Sequence, residues 1–293
     1  MKISEIRLVN IRCFDDTDNV KLSDSINIVV GKNNSGKSTF LKSIIGLQMS
    51  PFDGIDIRPH SGTLSYYGVK ISQVKPEDPI SIGWYGPEYR IIFSPNGEFH
   101  NYTDVPIARA NFSQCIFISS KPNHVVVPFL AKRQSVNFSQ DVSISTQNVN
   151  SGDFTHLYGK IDLLATYGHP LHGKFKESVV NIIGLPITMR ASAGGKVAGF
   201  YFDTNTFVTL DRMGDGVTEM VALIVELCTE SGKIFVLEEP ESNLHPKALK
   251  SLLDMIRASS SENQFFISTH SNIVVRELGA PEMSKILRVY KEN

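Results

Sequence analysis

INIVVGKNNSGKSTFLKSIIGL, residues 26–47, passes from an apolar run through a glycine-rich turn into a helical pattern. Gly31, Gly36, Lys37 and Ser38 fit the spacing G-x-x-x-x-G-K-[ST], and the flanks are those the chemistry needs: a buried strand before, an amphipathic helix after. Glycine lets the backbone wrap tightly enough for consecutive amides to converge on phosphate oxygens, and a helix beginning near Gly36 adds its positive end. The candidate phosphate-binding residues are therefore Gly31, Lys32, Asn33, Asn34, Ser35, Gly36, Lys37, Ser38 and Thr39. Lys37 is expected to reach the β and γ phosphates, the Ser38 hydroxyl to bind Mg2+, and Thr39 to hold the α phosphate of ATP.

A bound triphosphate calls for a metal-holding acid at the end of another strand. KIFVLEEPESNLHP, residues 233–246, supplies one: Ile234 to Leu237 read as a strand, and Glu238 and Glu239 leave its carboxyl end. Adjacent on an extended chain, the two glutamates are expected to point apart and to divide the work. Glu238 is the candidate metal ligand and Glu239 the group that polarises the attacking water. QFFISTHS, residues 264–271, is a further apolar strand that delivers His270 as a candidate donor to the γ phosphate.

Outside these stretches the chain is ordinary. It has 293 residues, of which 41% are hydrophobic and 20% charged, so it can bury a large core. No apolar run approaches the ~18 residues of a membrane span, and MKISEIRLVNIRCF is no signal peptide, so a cytoplasmic protein without a membrane partner is expected. Cys13, Cys115 and Cys228 are scattered and odd in number, which argues against a zinc site or a disulfide framework. Net charge is −1, but residues 109–200 hold nine Lys or Arg against four acids, leaving +5 there and −6 elsewhere. That middle is either a solvated surface or an anion-facing one, and Lys132, Arg133, Lys174 and Lys176 are its candidate DNA contacts.

Residues 3–14 and 20–30 read as two strands, and 36–49 as a helix with Phe40, Leu41, Ile44, Ile45 and Leu47 inward. Between Thr63 and Phe99, LSYYGVKISQV, ISIGWYG and YRIIF suggest an antiparallel sheet. Residues 160–183 are expected to form one or two helices interrupted at Gly168–His169–Pro170. GKVAGFYFDTNTFVTL reads as a hairpin, GDGVTEMVALIVELCTES as a buried helix capped by Asp215, and PKALKSLLDMIRASS as a helix linking two parallel strands. No heptad run or internal repeat is present, which leaves no room for a long coiled-coil arm.

In this order the pieces resemble the ABC-type ATPase heads that include SMC, RecF and OLD (overcoming lysogenization defect) proteins. The resemblance covers residues 1–50 and 205–275. It maps the family's first-strand element onto Asn10, Ile11 and Arg12, adding Arg12 to the nucleotide contacts. LEEPESNLHP is similar to the Walker B and D-loop of the OLD group, with the D-loop at Ser242 to Pro246 and Asn243 as a contact. STH matches the switch histidine at His270, and Gln73 is placed at the Q-loop by position.

At the signature the chain departs from transporters. Met213, Gly214, Asp215 and Gly216 stand where Leu-Ser-Gly-Gly would be, so Gly214, Asp215 and Gly216 are the candidate contacts and a transporter is disfavoured. The resemblance implies an α/β ABC-type P-loop head with a mixed central sheet flanked by helices, an antiparallel β lobe and a short inserted helical arm. Residues 1–105 and 200–293 would be the ATPase core, and 106–199 the inserted arm, a dimerisation or partner-facing region. It further implies an ATP-sandwiched homodimer that gates nucleic-acid processing, in bacterial or phage-defence biology. OLD proteins carry a TOPRIM nuclease domain after the head, and this chain stops where that domain would begin. The chain is then either a fragment of a longer nuclease or an ATPase with a separate effector. The rival reading is a nucleotide-sensing scaffold that binds a partner toxin or nuclease and turns over slowly.

Overall fold

The structure, a computed structural model, describes residues 1–49, 56, 65–72, 88–93, 99–102, 117, 124–130, 137–144, 149–150, 153–242, 244–280 and 282–290. Gln73, Lys132, Arg133, Asn243 and the segment ISIGWYG lie outside the described residues. The chain forms two compact units, Met1–Val126 with Gly232–Glu238 and Glu262–Asn293, and Val127–Ser231 with Glu239–Ser261.

The first unit opens with β1 (Lys2–Ile11), β2 (Phe14–Asp16), β3 (Val20–Lys21), β4 (Ile26–Val30), α1 (Lys37–Ile45), β5 (Ser65–Ser72), β6 (Glu88–Phe93) and β7 (Phe99–Tyr102). The chain leaves through β8 (Val126–Phe129) into β9 (Asn137–Phe138), β10 (Asp153–Phe154), α2 (Leu157–Ala165), α3 (His172–Ile183), β11 (Ile187–Ser192), β12 (Gly195–Tyr201), β13 (Phe207–Thr209), a 3-10 turn at Leu210–Arg212 and α4 (Asp215–Thr229). It returns to the first unit as β14 (Ile234–Glu238), forms α5 (Pro246–Ser259) in the second, and finishes with β15 (Gln264–Ser268), α6 (Asn272–Leu278) and β16 (Ser284–Arg288).

Two sheets build the first unit. β4, β14 and β15 are the continuous apolar runs expected of strands covered on both faces, and they pair in parallel in the order β16-β4-β15-β14. Their carboxyl ends, at Val30, Glu238 and Ser268, therefore share one edge. α1 packs on β14 and β15 through Phe40, Leu41, Ile44 and Ile45, all buried. The second sheet is antiparallel, in the order β2-β1-β5-β6-β7, with β3 also on β1. The single strand expected over 20–30 is broken in two. Asn27 accepts from the Ser23 amide at 2.7 Å and donates to the Ser23 carbonyl at 2.8 Å, folding the polar Ser23–Asp24–Ser25 stretch into a turn.

A buried glutamine ties the two sheets. Gln264, at 0% exposure in β15, accepts from the Ile3 amide and donates to the carbonyls of Ile3 and Ser23, each at 2.8 Å. Gln264→Leu keeps the volume but strands a buried amide and carbonyl of β1. We expect it to destabilise the fold by about 2–4 kcal/mol, read as a lower denaturation midpoint at unchanged slope.

The second unit packs α3 against α4 and α5, and α2 against α3, α4 and the antiparallel sheet β11-β12-β13. The interruption expected at Gly168–Pro170 separates α2 from α3. From Met220 to Cys228 every residue of α4 is buried, so this helix runs through the middle of the unit. Lys160, 3% exposed, is neutralised by Glu226 at 2.7 Å and Glu230 at 2.8 Å, and Glu226 also accepts from the Val149 amide. Asp215 does not cap α4. It is the first helical residue, where an acid still favours the positive helix end, and the cap position falls on Gly214.

Candidate functional site

The turn from Gly31 to Gly36 joins β4 to α1 at the carboxyl edge of the parallel sheet. Neighbouring chain dictates both glycines. A Cβ on Gly31 would lie 2.3 Å from the Val289 carbonyl and 2.6 Å from Ser35 Oγ. Gly36 has φ of +115°, and a Cβ there would meet Cys13 Sγ at 2.5 Å and the Phe14 ring at 2.9 Å. Asn34 also turns left-handed, at φ +60°. Among the described residues no side chain caps α1, so its first amides are left for an anion. Ser35 Oγ is buried in the loop with no hydrogen-bond partner, an orphaned polar atom where phosphate oxygens would sit.

Lys37 is 8% exposed and folds back over its own loop, donating to the carbonyls of Gly31 and Lys32 at 3.1 Å each. Lys32, Asn33 and Asn34 are exposed, and Thr39 is buried on α1. Ser38 Oγ donates to Glu238 Oε1 from 200 positions away in sequence. A hydroxyl beside a carboxylate is an oxygen-only donor pair that suits a hard cation such as Mg2+, the remaining ligands being waters and phosphates. Among the described residues no group of three or more His, Cys, Asp and Glu stands ready to hold a metal. Ser268, in register with Glu238 and with Val29, has a buried hydroxyl without a partner at the same edge.

The other candidates fall as follows. Glu239 follows Glu238 directly but is not on extended chain. Its φ is +49°, rare for a residue with a Cβ, and its carbonyl accepts from the Ser242 amide at 2.9 Å. The strand alternation expected to part the two glutamates therefore does not extend to Glu239, because the chain turns there. His270 is exposed just past β15, where Thr269 Oγ1 accepts from the Ser271 amide and Ser271 caps α6. Arg12, at φ +50°, donates Nε to Asp56 Oδ1 at 2.7 Å and its amide to the Asp56 carbonyl at 2.8 Å.

Glu239 and the stretch Gly214–Gly216 belong to the second unit. Gly214 has φ of −58°, open to any residue, and a Cβ there meets nothing within 4 Å, so its own fold does not demand glycine. Lys174 and Lys176 are exposed on α3. What the sequence reading missed are the surfaces behind the loop, Cys13, Phe14 and the Val289 carbonyl, together with Ser268. Among the described residues no helix is long and apolar enough to cross a membrane.

A parallel sheet ending in this glycine loop, beside an antiparallel lobe, is the fold of SMC-type ATPase heads. An SMC head solved with the C-terminal winged-helix domain of ScpA aligns over 100% of this chain and 95% of its own, at a TM-score of 0.68 and 14% identity. A Pyrococcus furiosus SMC head with an extended coiled coil, bound to the C-terminal domain of ScpA, aligns over 99% and 94% at 0.64 and 11%. The Thermotoga maritima SMC head aligns over 94% and 92% at 0.51 and 16%. By sequence, the chain belongs to the family described as "AAA domain, putative AbiEii toxin, Type IV TA system", which matches residues 108–276. Residues 1–70 also match the family described as "AAA ATPase domain". No curated protein matches the chain.

Proposed function

We propose that this chain is a Mg2+-dependent ATPase head of OLD-like type that pairs with a second copy across bound ATP and so gates the processing of nucleic acid by an attached or separate nuclease, as in phage defence. The observation that carries the reading is the Ser38–Glu238 pair beside a loop that holds a buried Ser35 hydroxyl with no hydrogen-bond partner among the described residues. Lys37, now resting on two carbonyls of its own loop, exchanges them for phosphate oxygens. Ser38 and Glu238 hold the cation, which supplies charge neutralisation to the departing phosphate. Glu239 accepts the proton of the attacking water, and His270 donates to the γ phosphate. Arg12 and Asn243 complete the contacts within the head, and Gly214, Asp215 and Gly216 present the start of α4 to the nucleotide of the other copy. Residues 106–199 act as the partner-facing arm.

Self-association tests the reading. Glu239→Gln, which blocks the hydrolytic step, is expected to sediment as a dimer with Mg-ATP and as a monomer with ADP or without Mg2+. A monomer under all three conditions contradicts it. The basic middle contacts DNA in this scheme, and neutralising Lys132, Arg133, Lys174 and Lys176 together should flatten the salt dependence of DNA affinity. An unchanged slope removes DNA from the account.

A second reading is a nucleotide sensor that engages a protein partner. Its support is the toxin–antitoxin wording of the family description and the two SMC heads solved with ScpA domains.

A further inference from the structure

α2 holds α4 at both ends, through the turn that leads into it and through its last turn. Tyr158, 1% exposed on α2, donates its hydroxyl to Asp211 Oδ1 at 3.0 Å, and the Asp211 amide donates back to that oxygen at 3.4 Å. Asp211 lies in the 3-10 turn just before Met213–Gly216. The turn is also tied forward, because Thr218 Oγ1 in α4 donates to the Leu210 carbonyl at 2.9 Å and the Met213 amide to the same carbonyl at 3.2 Å. Two residues further along α2, Lys160 bridges Glu226 and Glu230 near the other end of α4. The Tyr158 ring is fixed by Phe138, 5.2 Å between centroids, which in turn packs on Phe154.

Folding alone does not need that hydroxyl. The Asp211 residue is exposed, so water can satisfy its carboxylate, and a phenyl ring would fill the same buried space. Burial and the Asp211 carboxylate also push the Tyr158 phenol well above its ordinary ionisation range, which keeps it a neutral donor at any working pH. What the hydroxyl adds is the placement of the backbone from Asp211 to Gly216.

We propose that Tyr158 is a positioning residue for the composite nucleotide site: through Asp211 it sets where the start of α4 meets the ATP held by a second copy. This rests on the proposed ATP-bridged dimer. Lys160 is the companion that stops α4 from sliding when the two copies close.

The test is a double-mutant cycle in the Glu239→Gln chain, measured by sedimentation in Mg-ATP, with nucleotide affinity and melting temperature followed in parallel. Tyr158→Phe is expected to weaken self-association about tenfold, the scale of one hydrogen bond to a charged group. Nucleotide affinity of the monomer and melting temperature should stay at the parent values. Asp211→Ala should match it, Asp211→Asn, which keeps an acceptor, should recover most of the loss, and the double variant should be no worse than either single one. Parental association in Tyr158→Phe, additive losses, or weakening that follows a drop in melting temperature overturns the proposal. If the Glu239→Gln parent does not associate with Mg-ATP at all, the dimer reading fails first and this inference goes with it.

Discussion

Glu239→Gln is expected to lower steady-state ATP turnover by about a hundredfold or more, with nucleotide affinity unchanged within a factor of two or so. The substitution is isosteric and leaves the backbone as it is, including the left-handed turn at φ +49° and the Ser242 amide bond to residue 239. It removes the one property the proposed reaction needs there, a carboxylate able to take a proton from water. The proposed metal pair, Ser38 and Glu238, is untouched, so binding is expected to persist and only the chemical step to be lost. The measurement is phosphate release in parallel with a binding titration. Substantial turnover that barely moves would remove Glu239 from the chemistry, whereas turnover at background in parent and variant alike would favour the second reading.

Gly36→Ala should be nearly as damaging, for a different reason. At φ +115° a Cβ is strained on any chain, and here it would also press into Cys13 Sγ and the Phe14 ring. Left-handed strain of about 1–2 kcal/mol and overpacking of about 1–3 kcal/mol act together. The loop can relieve both only by moving off β1 and β2, which spoils the convergence of its amides. We expect Mg-ATP affinity to fall on the order of a hundredfold, at about 1.4 kcal/mol per factor of ten. The parallel sheet does not depend on this glycine, so far-ultraviolet circular dichroism should be unchanged. Affinity within threefold of the parent would mean that the loop does not hold the phosphates. Trimming Phe14 should restore part of the loss, since the ring is one of the two obstacles.

Much of this site could be read from the string because its parts are local. INIVV, IFVLE and QFFIS are mostly apolar, as strands covered on two faces tend to be, and the glycines, lysine and serine that follow the first of them have few other uses at that spacing. The meeting of Ser38 with Glu238 follows once both are placed at the carboxyl edge of one parallel sheet, where only β15 separates their strands. Contacts fixed by tertiary register left no such trace. Nothing in RCF announces that Cys13 and Phe14 lie under Gly36, nor in ILRVY that the Val289 carbonyl lies behind Gly31. Gln264 reads as a polar residue opening a strand, and only the fold shows it joining two sheets. The reversal at Glu239 was also hidden, because Leu-Glu-Glu continues a strand pattern until the chain turns. Asp215 was misplaced by one position, since an acid serves the first turn of a helix as well as its cap, and sequence alone does not separate the two.

The central claim is that Lys37, Ser38 and Glu238 hold one magnesium-bound triphosphate, and isothermal titration calorimetry of the intact chain tests it most directly. The account predicts one ATP per chain in the presence of Mg2+, marked weakening when Mg2+ is chelated or Ser38 is changed to Ala, and no measurable binding in Lys37→Ala. Absence of heat from the wild-type chain with Mg-ATP, or binding that survives Lys37→Ala unchanged, would contradict it.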